Sequence, residues 1–339
     1  MPIGYKKNIS LKRIINHKKT ANKFLKITKN MEKPDLIYAS FPTIDYAEVA
    51  IKYGKKNNVP VIIDIRDLWP DIFYQNLPKW LSILANPYIK WLNYKTKKIM
   101  KNAFAINAIS EAMLNWGINK GNRTKSKYDK YFYIGYNKKK DHGEKTEQEF
   151  ENLIDKEKFN ISFLATINNQ FDYGKIASLA KNLETEDKDI MINICGDGPQ
   201  MEKLKELIKD NSNVKLFGWI GKEQLNYILK NSKMGLIPYK NTFDFQMSVS
   251  NKFAEYISYG LPILLTSEGY MKQLVEEYQC GISTQNMQQM SELIIELKND
   301  TEKYRKISDN ATRLYEEKFI AEKIYKELVN YLEKIKEEI

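Results

Sequence analysis

The chain has 339 residues, of which 42% are hydrophobic, which is enough for two domains with ordinary cores. Its two cysteines and two histidines show no metal-type spacing, and no apolar run is long enough for a transmembrane helix or a signal region. Composition therefore excludes a zinc domain, a disulfide-rich domain and a membrane-spanning helix. It favours a cytoplasmic protein with Cys195 and Cys280 reduced in the core.

The net charge of +11 is unevenly distributed. Residues 1–110 carry 20 basic and 7 acidic side chains, a net charge of +13, so the remainder sums to −2. The first 30 residues hold nine basic side chains and no acid, and residues 72–110 hold six lysines and no acid. Two interpretations stay open: a positive face that binds an anionic surface, or a generally lysine-rich composition.

In the first half, apolar runs alternate with helical patterns, which is typical of a parallel α/β domain. No apolar strand precedes residue 35, and residues 11–25 follow a helical spacing, so the first domain is expected to lack its opening strands. Asn86 and Pro87 predict the N-terminus of a helix that ends near Lys101. The predicted strands are 35–40, 59–65, 103–110 and 130–135, with a helix at 43–57.

The polar segment 137–158 is expected to connect the domains, and the pattern resumes after it as about five β-α steps of a Rossmann-like sheet. The tail from about Thr301 is helical. We expect an acceptor-side domain at 1–150, a nucleotide-sugar donor domain at 159–315, and a C-terminal helix at 316–339 that packs on the first domain. The predicted strands are 160–166, 190–196, 214–219, 234–239 and 262–267.

The segment SVSNKFAEYISYGLP, residues 248–262, predicts one short helix capped by Ser248 or Ser250 and ended by Gly260 and Pro262. Its spacing puts Phe253, Tyr256 and Ile257 on one face, suited to a sheet, and Lys252, Glu255 and Tyr259 on another. A helix N-terminus with a lysine attracts phosphate, and a glutamate one turn deeper can accept hydrogen bonds from a ribose diol. The alternative is an ordinary surface Lys–Glu pair.

This segment resembles the donor site of the family 4 retaining glycosyltransferases, which have the GT-B fold of two Rossmann-like domains facing a cleft. Three further stretches agree in order: FLATINNQFDYGKIASLAKNL at 163–183, INICGDGPQMEKLKEL at 192–207 and NVKLFGWIGKEQLNYILKNSKMGLIPY at 213–239. DIRDLWPDIF at 64–73 resembles a bacterial subgroup that builds polysaccharides on lipid-linked acceptors. AINAISEAM at 105–113 resembles a strand end of the acceptor domain, so the resemblance covers about residues 6–335.

The resemblance implies a role for each matching position. Glu255 matches the second glutamate of the paired-glutamate signature, which binds ribose, and Lys252 matches the helix start that receives the diphosphate. Asp67, beside Arg66 at the end of a first-domain strand, is the candidate for a polar contact to the acceptor, so the catalytic candidates are Lys252, Glu255 and Asp67. The remaining binding candidates are Thr166 and Asn168 under the diphosphate, Gly196, Asp197 and Gly198 near the nucleotide, Phe217, Gly218 and Trp219 at the base, and Ser250 and Asn251 at the helix start.

Two positions depart from the family pattern. Met247 stands where the first glutamate of the pair is expected, and Asp244 or Gln246 is a candidate to replace its contact to the donor sugar. Tyr173 stands where a lysine is common, so Lys252, with Lys175, is expected to carry more of the leaving-group charge.

The expected activity is a hexosyltransferase that uses a nucleoside-diphosphate sugar, a lipid-linked saccharide acceptor and no cofactor or metal, with retention through front-face attack, in surface polysaccharide biosynthesis. Residues 78–101 mix Trp80, Leu84, Tyr88, Trp91 and Leu92 with lysines, which favours peripheral binding to the anionic inner face of the plasma membrane, although a core helix with a lysine-rich face fits equally. The alternatives are a sugar-nucleotide epimerase and a catalytically impaired, membrane-associated partner of a polysaccharide machine. Nucleic acid is not an expected partner, because no recognised binding module is present.

Overall fold

A computed structural model describes residues 11–76, 79–138 and 150–339, so His142 and half of the predicted connection at 137–158 lie outside the described residues. The chain forms two compact units. The first unit contains the described residues up to Tyr133 together with Lys326–Ile339, and the second contains Ile134–Tyr325. Each unit is built on one parallel β-sheet, as predicted for two Rossmann-like domains.

The first unit has a four-stranded sheet in the order β1-β2-β3-β4, which confirms the four strands predicted from apolar runs. The helical spacing of the early residues is confirmed as well, since α1 precedes the first described strand. The elements are α1 (Leu11–Ile27), a 3-10 turn (Thr28–Asn30), β1 (Ile37–Phe41), α2 (Ile44–Asn57), β2 (Val61–Ile65), α3 (Phe73–Asn76), α4 (Lys79–Asn102), β3 (Ala105–Ala108), α5 (Glu111–Gly121) and β4 (Lys130–Tyr131).

The predicted start of α4 at Asn86 is wrong, because the helix begins at Lys79 and contains Pro87. Proline removes one backbone hydrogen bond, the one that the carbonyl of Ile83 would otherwise accept. The Ile83 side chain is 73% exposed, so water can reach that carbonyl. Burial of Ile89 and Leu92 on the opposite face outweighs the loss of this one bond.

The last helix, α14 (Ala321–Glu338), completes the core of the first unit with its C-terminal part. Ile335 is 1% exposed and packs with Ile62 and Ala105. The Tyr331 hydroxyl lies 2.9 Å from Asn107 Oδ1 and 2.6 Å from the carbonyl oxygen of Tyr128. Residues 326–339 therefore contribute both apolar burial and partly buried hydrogen bonds to this unit.

The second unit has a six-stranded parallel sheet in the order β10-β9-β8-β5-β6-β7, a doubly wound arrangement. The five predicted strands are confirmed, and β10 is an additional edge strand of three residues. The elements are β5 (Phe159–Leu164), α6 (Tyr173–Glu186), β6 (Ile190–Cys195), α7 (Met201–Ile208), β7 (Val214–Gly218), α8 (Lys222–Lys230), β8 (Met234–Ile237), α9 (Phe243–Met247), α10 (Asn251–Ser258), β9 (Ile263–Leu265), α11 (Tyr270–Tyr278), β10 (Gly281–Ser283), α12 (Met287–Asn299) and α13 (Thr301–Lys318).

The strand order reverses between β5 and β8, and these two strands pair only at Ile161 with Met234 and Ser162 with Gly235. Beyond that point the fully buried Tyr256 of α10 bridges them. Its hydroxyl accepts a hydrogen bond from Leu164 N at 2.8 Å and lies 3.4 Å from the Leu236 carbonyl. A side chain at Gly235 would collide with this ring, since a Cβ there would lie 2.3 Å from Cγ of Tyr256. The bridge fixes α10 at the point where doubly wound sheets bind ligands.

We expect Tyr256→Phe to destabilise the second unit by about 1–3 kcal/mol, because it leaves the buried Leu164 N–H without its acceptor. Urea unfolding should show a lower midpoint for this unit. Tyr304→Phe is the matched control, since it removes a hydroxyl bonded to the exposed Lys233 carbonyl at 2.9 Å. An equal or smaller change in Tyr256→Phe than in the control would contradict the bridging role.

Candidate functional site

The short helix α10 has the capping and the two faces that its sequence predicts. Ser250 is the N-cap, and its hydroxyl accepts from Phe253 N at 3.3 Å. Phe253, Tyr256 and Ile257 are fully buried against the sheet, whereas Lys252 and Glu255 lie on the partly exposed face. The helix therefore presents its N-terminus, an ammonium group and a carboxylate on one side of the second unit.

The Lys252 ammonium lies over two aromatic rings, 5.1 Å from the ring centre of Phe171 and 5.8 Å from that of Tyr239. Among the described residues, no carboxylate lies within ion-pair distance of it. Loss of surrounding water lowers the pKa of Lys252, and the Glu255 charge opposes this only in part. Within the described part of the chain, the site thus holds a cation that contacts π faces and has no ion-pair partner.

The rings under Lys252 come from the loops after β5 and β8, the two strands that part at the reversal of strand order. Phe171 stacks on Tyr239 at 4.8 Å between centres, and Tyr239 stacks on Phe245 of α9 at 4.0 Å. Burial raises the pKa of Tyr239 to about 12, so its hydroxyl stays protonated. Sequence reasoning missed these rings, and the only available signal was their position, since Phe171 lies shortly after the predicted strand 160–166 and Tyr239 is the last residue of the predicted strand 234–239.

Glu255 does not form the surface ion pair with Lys252 that was the alternative explanation of this helix. Its Oε1 instead accepts a hydrogen bond from the Tyr136 hydroxyl at 2.8 Å. Burial and the Glu255 charge raise the pKa of Tyr136 far above its ordinary value, so the phenol remains the donor. Among the described residues, no second partner holds Glu255 Oε2.

The predicted glycines after β6 serve a close approach of two loops. A Cβ at Gly196, whose φ is +137°, would lie 1.7 Å from the Ala165 carbonyl oxygen, and one at Gly198 would lie 2.5 Å from that of Ile167. Backbone hydrogen bonds join the loops, from Ala165 N to Cys195 O and from Ile167 N to Asp197 O, both at 2.9 Å. The glycines therefore allow the loop after β6 to approach the loop after β5, and their expected role near the nucleotide stays a prediction.

The remaining binding candidates lie at the carboxyl ends of the strands of this sheet or on the loops that follow them. Thr166 is exposed and Asn168 is half-buried, with Asn168 Oδ1 accepting from Gln170 N at 2.9 Å. Asp197 Oδ1 accepts from Gly198 N at 2.7 Å. Trp219 is 81% exposed directly after Gly218, whose φ is +65°. The partly exposed Phe217 has the Lys215 ammonium 5.1 Å from its ring centre.

The candidates to replace the first glutamate and the missing basic residue are partly engaged elsewhere. Asp244 Oδ1 accepts from the Thr242 hydroxyl at 2.6 Å, and Gln246 Nε2 donates to Asn241 Oδ1 at 2.9 Å. Tyr173 is buried, and its hydroxyl donates to the Asn168 carbonyl, so it closes the loop after β5.

Lys175 lies at a cavity of this unit that Lys252 does not line. Its Nζ donates to the Thr266 carbonyl at 3.3 Å. It also lines an open cavity of about 570 Å³ at the starts of α6 and α12. Gly174 and Met287 also line this cavity. Its remaining lining residues are polar, namely Asp172, Ser178, Asn182, Gln285, Asn286 and Gln288.

Asp67 belongs to the first unit, two residues beyond the end of β2. Its Oδ1 accepts from Leu68 N at 2.8 Å, and the neighbouring Arg66 binds Asp64 at 2.5 Å. Its acceptor role stays a prediction. Across the described ranges, no group of three or more His, Cys, Asp or Glu residues is arranged to hold a metal ion.

Comparison with known proteins agrees with this geometry. The family model described as glycosyl transferases group 1 matches residues 144–314. The HepE protein of Anabaena, solved in complex with UDP, is 14% identical, with a TM-score of 0.69 over 93% of this chain and 82% of its own. Sucrose-phosphate synthase of Thermosynechococcus elongatus is 12% identical, with a TM-score of 0.74 over 99% and 81% of the two chains.

A third similar structure is a UDP-forming trehalose-phosphate synthase of Burkholderia xenovorans, 12% identical, with a TM-score of 0.68 over 96% of this chain and 80% of its own. No curated protein matches the sequence significantly. The family match spans half of the chain, so the chain belongs to the group 1 glycosyl transferases and is a glycosyltransferase. Its two parallel sheets are those of the GT-B class.

We expect Lys252→Met to raise the melting temperature of the ligand-free protein at neutral pH. Since the folded-state pKa of Lys252 is lowered, the unfolded chain holds that proton more tightly. The resulting penalty exists below the lowered pKa and is relieved as pH rises through it towards 10.5. Methionine keeps the contact with the rings without the charge.

Differential scanning calorimetry across pH checks this. Lys203→Met, at an exposed position of α7, is the control and should change little. A lower melting temperature for Lys252→Met than for the control would show that the ammonium is stabilised where it lies.

Proposed function

We propose that the enzyme transfers a hexose, with retention, from a nucleoside-diphosphate sugar to a lipid-linked saccharide in surface polysaccharide assembly. The observation that carries the donor part is the Lys252 ammonium, which lies over Phe171 and Tyr239 with no carboxylate partner among the described residues. It stands on the first turn of an eight-residue helix, whose N-terminal N–H groups favour an anion. A diphosphate can pair with the ammonium and accept hydrogen bonds from these N–H groups at the same time.

The other donor contacts follow from the same edge of the sheet. Oε2 of Glu255, about one turn beyond Lys252, is available to a ribose hydroxyl. Trp219 offers an exposed aromatic face to a base. UDP is the first nucleotide to test, because HepE was solved with UDP and the similar trehalose-phosphate synthase is UDP-forming.

In the proposed reaction, the bond between the anomeric carbon and the diphosphate oxygen breaks while the acceptor oxygen bonds to the same face of that carbon. The departing phosphate oxygen takes the acceptor proton, so a carboxylate nucleophile is not required. Negative charge builds on the diphosphate as the bond breaks, and Lys252 and the N-terminus of α10 are placed to stabilise it. Asp67 of the first unit is the proposed polar contact to the acceptor.

We expect the wild-type protein to be stabilised by UDP in a thermal-shift assay, with GDP and ADP as comparisons. Calorimetric titration of UDP should show affinity at least about tenfold weaker in Lys252→Met and Glu255→Gln, since each loses a charge-assisted hydrogen bond. Glu206→Gln is the matched control, on an exposed Glu–Lys pair of α7 with 2.9 Å between the charged atoms.

No shift with any of the three nucleotides would contradict the donor proposal. It would favour the non-catalytic partner, which Met247 in place of the signature glutamate also favours. Binding without sugar transfer or hydrolysis would point to the same alternative.

We also propose that the protein binds peripherally to an anionic membrane surface, and this proposal rests on α4. This helix exposes Leu84 (71%) and Trp91 (47%), with Ile83, Tyr88 and Tyr94 also exposed, whereas Leu92 is 7% exposed and belongs to the core. The side chain of Trp80 lies outside the described set. Among the described residues, Lys90, Lys97 and Lys101 are exposed without a carboxylate partner, and α4 contains no acid. Apolar side chains among unpaired cations fit an anionic lipid headgroup region.

None of the described helices is both long and apolar enough to cross a bilayer. Acidic phospholipid is the proposed partner of the α4 surface, because charge complementarity favours it at about 1 kcal/mol for each lysine near the surface.

We expect the protein to float with vesicles that contain phosphatidylglycerol and not with neutral vesicles, and to be released by high salt. Leu84→Glu with Trp91→Glu should abolish flotation. Leu207→Glu, at a side chain 41% exposed in the second unit, is the control and should float like wild type. Equal recovery with both vesicle types would exclude the anionic surface as the partner.

A further inference from the structure

The Tyr136 phenol contacts the carboxylate of Glu255, which binds the donor ribose in the proposed function. Tyr136 is 119 positions from Glu255 in sequence, yet its hydroxyl donates to Glu255 Oε1 at 2.8 Å. Both residues belong to the second unit. The bond occupies one carboxylate oxygen and leaves Oε2 without a partner among the described residues.

The backbone around Tyr136 is held by the region where α13 gives way to α14. Tyr136 N donates to the Phe319 carbonyl at 2.8 Å, and the Tyr136 carbonyl accepts from the Tyr315 hydroxyl at 3.0 Å. Tyr136 also pairs in parallel with Ile320. Gly135 permits this approach, since a Cβ there would lie 2.3 Å from Cα of Ala321. The phenol is thus presented from a fixed backbone.

A second tyrosine hydroxyl lies beside the phenol. Tyr259, one turn after Glu255, also interacts with Tyr136 and raises its pKa. The Tyr259 hydroxyl donates to Oδ1 of the buried Asn226 at 2.5 Å. The Tyr259 hydrogen is directed to Asn226 and the Tyr136 hydrogen to Glu255, so the Tyr136 phenol remains the donor to this carboxylate.

We propose that Tyr136 is a positioning residue, which holds Oε1 of Glu255 so that Oε2 faces the ribose hydroxyls of the donor nucleotide. A glutamate side chain has several rotatable bonds, and a hydrogen bond to a fixed donor removes much of that freedom before the ligand arrives. This inference rests on the proposed function, because it needs Glu255 to bind the ribose.

The opposite role is that Tyr136 competes with the ribose for Glu255. The two roles predict opposite effects of Tyr136→Phe on UDP affinity. Removing a positioning hydroxyl weakens binding, and removing a competing hydroxyl strengthens it.

The test is the affinity ratio between UDP and its 2′,3′-dideoxy analogue, measured by calorimetry. We expect wild type to prefer UDP, Glu255→Gln to lose most of that preference, and Tyr136→Phe to reduce it about fivefold. In the Glu255→Gln background, Tyr136→Phe should change the ratio no further, since the two residues act as one unit. A purely structural role would weaken both nucleotides equally and leave the ratio unchanged.

Tyr278→Phe is the matched control, because Tyr278 also donates to a glutamate, Glu317 Oε2, at 2.7 Å. It should leave the ratio at the wild-type value. If Glu255→Gln abolishes the preference but Tyr136→Phe leaves it unchanged or tightens UDP binding, the positioning role is overturned and the proposed function stands. If wild type binds both nucleotides equally or neither, the ribose role of Glu255 fails, and the positioning role fails with it.

Discussion

The second unit depends on one constraint, which is that β5 and β8 run side by side for only two residue pairs before they part. The Tyr256 hydroxyl bridges the strands beyond that point, and it can do so only because Gly235 has no side chain. This bridge sets the position of α10. The loops that follow β5 and β8 both begin at this point, and each carries one aromatic ring. The two rings, Phe171 and Tyr239, lie beneath the first turn of α10, where Lys252 lies.

A half-buried ammonium without a counter-ion among the described residues is an unfavourable feature in an unliganded protein. The lowered pKa of Lys252 shows that the loss of water has a larger effect than the charge of Glu255. The π faces of Phe171 and Tyr239 offset the loss of water only in part. Such a site is pre-organised for an anion, because its cation and helix N-terminus are in place before the anion binds. Under the proposed function, stability is given up at this site, as is common at functional sites.

Sequence reasoning predicted the parts of the fold that leave a local pattern. Buried parallel strands such as Val61–Ile65 and Ile190–Cys195 are apolar runs, and the two faces of α10 follow from its three-and-four spacing. β10 has a single apolar residue, Ile282, so it leaves no apolar run to detect, and Pro87 gave a false helix start because packing of α4 overrides one lost hydrogen bond. The family resemblance agrees with the match over residues 144–314.

The site was only partly predictable for a related reason. Lys252 and Glu255 are neighbours in sequence, so their shared face could be derived from the segment itself. Phe171, Tyr239 and Tyr136 reach them from separate loops, and only the folded chain brings these groups together. The acceptor role of Asp67 has no such contact in support and stays a prediction.

The central claim is that the amino end of α10 receives the diphosphate of the donor. A crystal structure of the protein with UDP bound tests this most directly. We expect a phosphate oxygen at about 2.7–2.9 Å from Lys252 Nζ and a ribose hydroxyl in hydrogen-bond contact with Glu255. Diphosphate density at the cavity lined by Lys175 and Gln288, with Lys252 still over its rings and free of phosphate, would contradict it.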